Sequence, residues 1–111
     1  MNVHQELDES LRRLEATLKA ADMWRMPEPP PQAYQSQAPF CLDTMELPQW
    51  LRFVFIAKLD TLVEERALLP EKSEVAPAVE HYLKQQQAKA STLLLVVKAI
   101  EEVDRVITES D

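Results

Sequence analysis

The stretch from Leu47 to Leu69, LPQWLRFVFIAKLDTLVEERALL, constrains the fold of this chain more than any other feature. On a helical wheel Trp50 and Val54 fall together, Phe55 lies on a flank, and Ile56 points almost directly away from Val54. A helix that is apolar on nearly all sides is normally buried on nearly all sides. The pattern therefore predicts a central helix that the other elements of the chain must cover.

The composition limits both the size and the class of the fold. A chain of 111 residues fits one domain, 1–111, that buries a single core without metal or disulfide support. The sequence has no glycine and one asparagine, Asn2, so it lacks the residues that tight hairpins and phosphate-binding loops require. A sheet-rich fold and a nucleotide-binding loop are therefore not expected.

Three further amphipathic segments predict helices around the central one. The first runs from about Asn2 to Asp22, and the third opens at Pro77 and presents Val79, Tyr82 and Leu83. The fourth follows Ser91, its expected N-cap, and carries a stripe that ends at Ile107. We therefore predict an all-α four-helix bundle.

A proline-rich connector, residues 23–42, joins the first and second helices and holds five of the eight prolines. Proline fixes φ and lacks an N–H, so the segment should be extended. It also carries Trp24, Tyr34, Phe40 and Leu42, which a simple spacer would not need. We expect it to fold back onto the central helix; a homodimer interface is the alternative use of the surplus apolar surface.

The ends of the central helix can also be predicted. Asp43 or Thr44 is expected to cap its N-terminus, with Glu46 as the acidic residue of a capping box. Its C-terminus is expected near Leu69, because Pro70 disfavours helical geometry in the residue before it.

Charge and cysteine content bear on partners and location. The formal net charge of −7 disfavours direct nucleic-acid binding, which depends on Lys and Arg set against phosphates. The lone cysteine, Cys41, cannot form an internal disulfide, and no apolar run reaches the length of a membrane span. We therefore expect a cytoplasmic protein with no membrane attachment.

The residues that begin and flank the central helix form the candidate ligand or partner surface. Cys41 lies just before a helix start, where its thiol could be activated, but only His4 and His81 could serve as its base, and they fall on separate helices. The simpler explanations are a buried structural cysteine, a capping Asp43 and core aromatics. We predict no catalytic group, metal site or cofactor. The candidate surface comprises Phe40, Cys41, Asp43, Met45, Trp50 and Phe53.

Several of these residues also carry a family resemblance. The run from Phe40 to Met45, followed by Gln49-Trp50-Leu51 and Val54-Phe55-Ile56, resembles the signature of the YqcC-like family of small bacterial helical-bundle proteins. Pro77 with Glu80, and Leu94 with Asp104, are similar to its later part. One departure is Ala57-Lys58, where the family has Pro-Arg. The resemblance implies a helical bundle with no assigned activity, encoded near a tRNA pseudouridine synthase gene.

Two hypotheses for function follow. The first is a non-enzymatic interaction module that binds a protein partner, with a tRNA pseudouridine synthase as the candidate, through the surface around Phe40, Trp50 and Phe53. The acidic outer helices would steer it towards a basic partner. The second is a small-molecule binder or an unrecognised enzyme with a pocket near Cys41, Asp43 and Trp50. The sequence leaves open whether the protein is a monomer or a homodimer.

Overall fold

A computed structural model of the protein describes residues 2–109. These residues form four α-helices and contain no β-strand, which confirms the predicted all-α fold. The helices are α1 (Val3–Ala20), α2 (47–65), α3 (Ala76–Gln85) and α4 (Ala90–Thr108). Two short 3₁₀ turns, Pro31–Gln35 and Pro39–Cys41, interrupt the connector between α1 and α2.

Helix α2 is continuous but not uniform. Its α-helical ends, Leu47–Trp50 and Ala57–Glu65, flank a π-helical segment, Leu51–Ile56. Every residue from 47 to 56 is buried or half-buried, and Ile56 is only 2% exposed. The apolar surplus of this helix is therefore largely covered along its first half, where no residue is exposed.

The N-terminus of α2 is capped differently from the prediction. The side-chain Oε1 of Gln49 accepts a hydrogen bond of 2.9 Å from the backbone N–H of Glu46, the residue that precedes the helix. Asp43 instead accepts a hydrogen bond from Ser36, and the Thr44 hydroxyl donates to the carbonyl of Ala33 at 2.7 Å. The assignment of Asp43 or Thr44 as the N-cap was wrong, because the helix begins at Leu47 and these residues belong to the connector.

Helix α2 also ends four residues earlier than predicted. Arg66 follows Glu65 in the left-handed conformation, with φ of 51°, and the N–H of Ala67 donates to the carbonyl of Leu62 at 3.0 Å. This is a Schellman motif, which normally uses glycine at the left-handed position. A glycine-free chain can therefore stop a helix before the proline that we expected to end it.

The helices of the bundle run antiparallel to their neighbours. Arg13 of α1 pairs with Glu102 near the end of α4, and Arg12 pairs with Asp60 in the second half of α2. Nε2 of His4, at the start of α1, donates a 2.7 Å hydrogen bond to the carbonyl of Ala67, just after α2. Helix α4 begins at Ala90, so the predicted N-cap, Ser91, lies inside its first turn.

The connector is held against the bundle by side chains of α2. Trp24 and Phe40 pack against the core. The Nε2 amide of Gln49 donates to the carbonyl of Pro27 at 2.9 Å, and the guanidinium of Arg52 donates to the carbonyl of Trp24 at 2.6 Å. These bonds join the first half of the connector to the start of α2. Among the helices of residues 2–109, none is long and apolar enough to cross a membrane.

Candidate functional site

Three aromatic rings form a contiguous stack at the start of α2. The ring of Phe40 meets Trp50 edge-on, with centroids 4.9 Å apart and planes at 88°. Trp50 lies nearly parallel to Phe55, with centroids 5.4 Å apart. Phe55 is buried, whereas Phe40 and Trp50 are half-buried. The stack therefore joins the core to the surface and leaves aromatic surface open at one end.

This open end is the floor of an apolar groove with a volume of about 370 Å³. One wall is the outer side of α2, and the other is the loop from Pro70 to Val75 with Ile107 of α4 behind it. The volume falls in the range of sites that accept a small molecule or a few side chains of a partner. Two lysines and one glutamate belong to the lining, which comprises Phe40, Trp50, Val54, Phe55, Lys58, Leu59, Pro70, Lys72, Ser73, Glu74, Val75 and Ile107.

The backbone at Phe40, on the floor of the groove, is unusual. Phe40 and Cys41 both have positive φ, 56° and 52°, although neither is glycine. Left-handed non-glycine residues cost free energy and occur often at binding sites. The α2 wall contains the π-helical segment Leu51–Ile56, another feature that occurs frequently at functional sites. Two uncommon backbone conformations thus meet at one groove.

The structure places the six predicted surface residues in four environments. Phe40 and Trp50 line the groove, while Met45 is buried at 6% exposure and does not line it. Cys41 is half-buried, and Asp43 is exposed and hydrogen-bonded to Ser36. Cys41 and Asp43 are therefore close to Phe40 in sequence but do not belong to the groove lining.

Phe53, the sixth predicted residue, belongs to a separate cluster. The guanidinium of Arg52 lies 4.9 Å from the Phe53 ring centroid and 4.5 Å from that of Trp24. The ammonium of Lys19 lies 5.5 Å from the Trp24 ring centroid. Cation–π contacts of this kind hold the connector against α2. Arg52 therefore ties the connector to α2, and Phe53 contacts this arginine, whereas Trp50 lines the groove.

Ten of the twelve residues that line the groove were not among the predicted surface residues. Val54, Lys58 and Leu59 lie one and two turns beyond Trp50, so helical spacing alone could have added them to the surface. The loop 70–75 gave no such signal, because its position depends on how α3 packs against α4.

Within residues 2–109 no group of three or more His, Cys, Asp or Glu side chains could hold a metal ion. His81 is exposed on α3, and His4 is engaged with the carbonyl of Ala67. The arrangement at the groove is suited to binding an apolar group.

The excess negative charge lies at one end of the bundle. Because neighbouring helices are antiparallel, segments 14–53 and 76–99 share one end, and together they contain six acidic and six basic residues. The remaining described segments, 2–13, 54–75 and 100–109, contain twelve acidic and six basic residues. The first end is thus neutral in formal charge, and the second carries a net formal charge of −6. Phe40 and Trp50 of the groove lining belong to the first set of segments, and the other ten lining residues belong to the second.

These features define the class of protein: a small, acidic helical bundle that presents an apolar groove beside its longest connector. Comparison with known proteins gives the family. The chain belongs to the DUF446 family, whose model is described as tRNA pseudouridine synthase C and matches residues 6–103.

Two full-length relatives and one solved structure support this membership. "Uncharacterized protein" of Haemophilus influenzae is 30% identical over 101 residues, which are 91% of this chain and 94% of that one. "Uncharacterized protein YqcC" of Escherichia coli is 32% identical over 101 residues, which are 91% of this chain and 93% of that one. The solution NMR structure of YqcC from E. coli has a TM-score of 0.84 at 31% identity and covers 100% of this chain and 92% of that one. The resemblance to the YqcC-like family is confirmed.

A third relative is much longer than this chain. "tRNA pseudouridine synthase C" of Pectobacterium carotovorum subsp. carotovorum is 31% identical over 70 residues. The match spans 63% of this chain but only 19% of the Pectobacterium protein.

Proposed function

We propose that the protein is a non-enzymatic accessory module that binds a tRNA pseudouridine synthase. The observation that supports this most is the Pectobacterium protein, which bears the synthase name and contains a segment similar to this chain in 19% of its length. Covalent linkage gives two modules a high effective concentration, so contacts between them can be weak and still persist. A related segment on a separate chain needs a binding surface of its own.

The groove is the surface that best meets this need. Its floor exposes part of Phe40 and Trp50, and tryptophan and other aromatic residues are enriched among the residues that dominate binding energy. The left-handed backbone at Phe40 and Cys41 holds the Phe40 side of the floor in place before a partner arrives. The contact is therefore made by a rigid surface at low entropic cost.

The uneven charge gives the module a direction of approach. An enzyme that acts on tRNA needs a positive surface to bind phosphates. The end of the bundle with twelve acidic and six basic residues would be attracted to the margin of such a surface. Electrostatic steering of this kind raises the association rate more than the final affinity.

A binding assay tests the proposal. The full chain is titrated with the tRNA pseudouridine synthase from the same genome at moderate salt, with biolayer interferometry as the readout. A complex is expected, and Val54→Asp should weaken it by about tenfold or more, because an unpaired carboxylate would lie on the groove wall. Leu95→Asp is the matched control, since Leu95 is 61% exposed on α4 and lies outside the groove lining.

The effect of Val54→Asp on folding must be measured separately from its effect on binding, because Val54 is half-buried. Circular dichroism melting identifies a variant that fails to fold, and Val54→Trp is then used to fill the groove with an apolar side chain. Absence of a complex between the wild-type chain and the synthase at low and moderate salt would contradict the proposal.

A second candidate function is small-molecule binding in the same groove. Its volume of about 370 Å³ and its largely apolar lining favour this use. A shift in melting temperature with an amphiphilic ligand, abolished by Val54→Trp, would support it. No shift across a panel of apolar and amphiphilic compounds would contradict it.

A further inference from the structure

We infer that the segment of the partner that enters the groove carries a large apolar side chain flanked by carboxylates. This inference rests on the proposed function, since it specifies the chemistry of the synthase segment that the groove would accept. It follows from the combination of an aromatic floor with a rim that is more basic than its surroundings.

The floor determines the apolar part of the occupant. Phe40 and Trp50 are half-buried, and Val54, Leu59 and Ile107 complete the apolar lining. A side chain that covers this surface gains roughly 25 cal/mol per Å² of apolar area removed from water. The edge-on contact of Phe40 with Trp50 fixes the shape of the floor, so a flat or branched apolar side chain can enter without rearrangement.

The rim determines the charged part. Lys58 is exposed and has no carboxylate within ion-pair distance among residues 2–109. Lys72 lies 3.8 Å from Glu74, but both side chains are about three-quarters exposed, so this pair is weak. Two ammonium groups and one carboxylate thus border the groove, and a partner carboxylate can replace Glu74 beside Lys72.

The groove differs in charge from the rest of this end of the bundle. The segments that form this end hold an excess of acidic residues, and two of their basic residues, Arg12 and Arg13, are already paired with Asp60 and Glu102. Lys58 and Lys72 are instead placed at the groove. A basic rim on the acidic end of the bundle favours an acidic segment at this one place.

Charge reversal in the full chain tests the inference, with the same synthase as the probe. Lys58→Glu with Lys72→Glu should weaken the complex by about tenfold, because rim charges that complement a partner become repulsive. The weakening should shrink as salt is raised, since exposed charges are screened. The matched control is Lys89→Glu with Lys98→Glu, two exposed lysines outside the groove, which should change the affinity by less than about twofold.

The outcomes separate the two proposals. If Val54→Asp weakens the complex while the reversal of Lys58 and Lys72 leaves it unchanged or tightens it, the groove is the binding surface and the acidic segment is contradicted. If the wild-type chain forms no complex with the synthase, the proposed function itself fails. If both lysine pairs weaken binding equally, the effect is one of net charge, and the inference is also overturned.

Discussion

The carboxylate of Asp104 in α4 accepts a 2.8 Å hydrogen bond from the backbone N–H of Ala76, the first residue of α3. Its other oxygen accepts a 2.6 Å hydrogen bond from the hydroxyl of Ser73. A side chain from the end of one helix thus caps the beginning of another. Because the loop before α3 forms one wall of the groove, this buried carboxylate also sets the width of the groove.

Loss of this cap should destabilise the fold. Asp104→Ala leaves the N–H of Ala76 without an acceptor in a buried place, which costs about 1–3 kcal/mol. Urea unfolding monitored by circular dichroism measures the change. Glu101→Gln, an exposed neighbour on the same helix, should change stability by less than about 0.5 kcal/mol. Equal stability of Asp104→Ala and the wild type would contradict the capping role.

The contact between Arg52 and Trp24 should govern how firmly the connector is attached. Arg52→Ala removes a hydrogen bond to the Trp24 carbonyl and two cation–π contacts, and we expect tryptic cleavage after Arg25 to become faster. Arg25 is exposed within the connector, so its cleavage reports opening of this segment. Lys58→Ala, on the exposed side of α2, serves as the control. An unchanged cleavage rate in Arg52→Ala would show that the connector is held by other contacts.

Three helices end with a left-handed residue that is not glycine, which predicts that a substitution to glycine there stabilises the fold. Asp22, Arg66 and Gln87 follow α1, α2 and α3 in the left-handed conformation, with φ of 61°, 51° and 58°. Arg66→Gly should raise the free energy of unfolding by about 0.5–1 kcal/mol, because glycine has no Cβ to clash there, although it gains entropy in the unfolded chain. Arg66→Ala is the control and should bring no gain. Destabilisation by the glycine would contradict the strain assigned to this residue.

The environment of Tyr82 predicts how the stability of the fold changes at alkaline pH. Partial burial, and then the nearby carboxylate of Glu46, raise the pKa of Tyr82 above its ordinary value of 10.0. The folded protein therefore holds this proton more tightly than the unfolded chain, and the linked stabilisation is complete below pH 10 and is lost as the pH rises through the folded-state pKa. As the pH rises above 10, the free energy of unfolding should therefore fall less in Tyr82→Phe than in the wild type.

A direct titration checks the same point. In Tyr34→Phe, Tyr82 is the remaining tyrosine, so tyrosinate absorbance reports its pKa alone. A midpoint above 10.0 is expected, and Glu46→Gln should lower it. A midpoint at or below 10.0 would contradict the environment described for this side chain.

Much of the fold could be predicted from the sequence because the spacing of the apolar residues indicates which segments form helices and which of them are buried. The crowded stretch after Leu47 predicted a covered central helix, and the structure leaves no residue from 47 to 56 exposed. The helix ends were less predictable. The end at Glu65 depends on a left-handed Arg66, a conformation that composition does not indicate, and the cap depends on Gln49, which also bonds to the connector.

The site could be predicted only in part, for a similar reason. Phe40 and Trp50 could be predicted from the sequence because they are aromatic residues close to a predicted helix start. Phe53 was grouped with them, but in the structure it contacts Arg52, whose guanidinium also covers Trp24 of the connector. The second wall of the groove depends on the packing of α3 against α4, which no local pattern reports.

The two tryptophans allow the central claim to be measured in one experiment. Trp50 lines the groove and Trp24 lies in the connector cluster, so the two indole N–H signals of the ¹⁵N-labelled chain report the groove and a reference surface. On titration with the tRNA pseudouridine synthase, the account predicts that the Trp50 signal shifts or broadens before that of Trp24, together with the amides of Val54 and Lys58. Perturbations confined to Trp24 or to the exposed Leu94 and Leu95 of α4, with Trp50 unchanged at saturation, would contradict it.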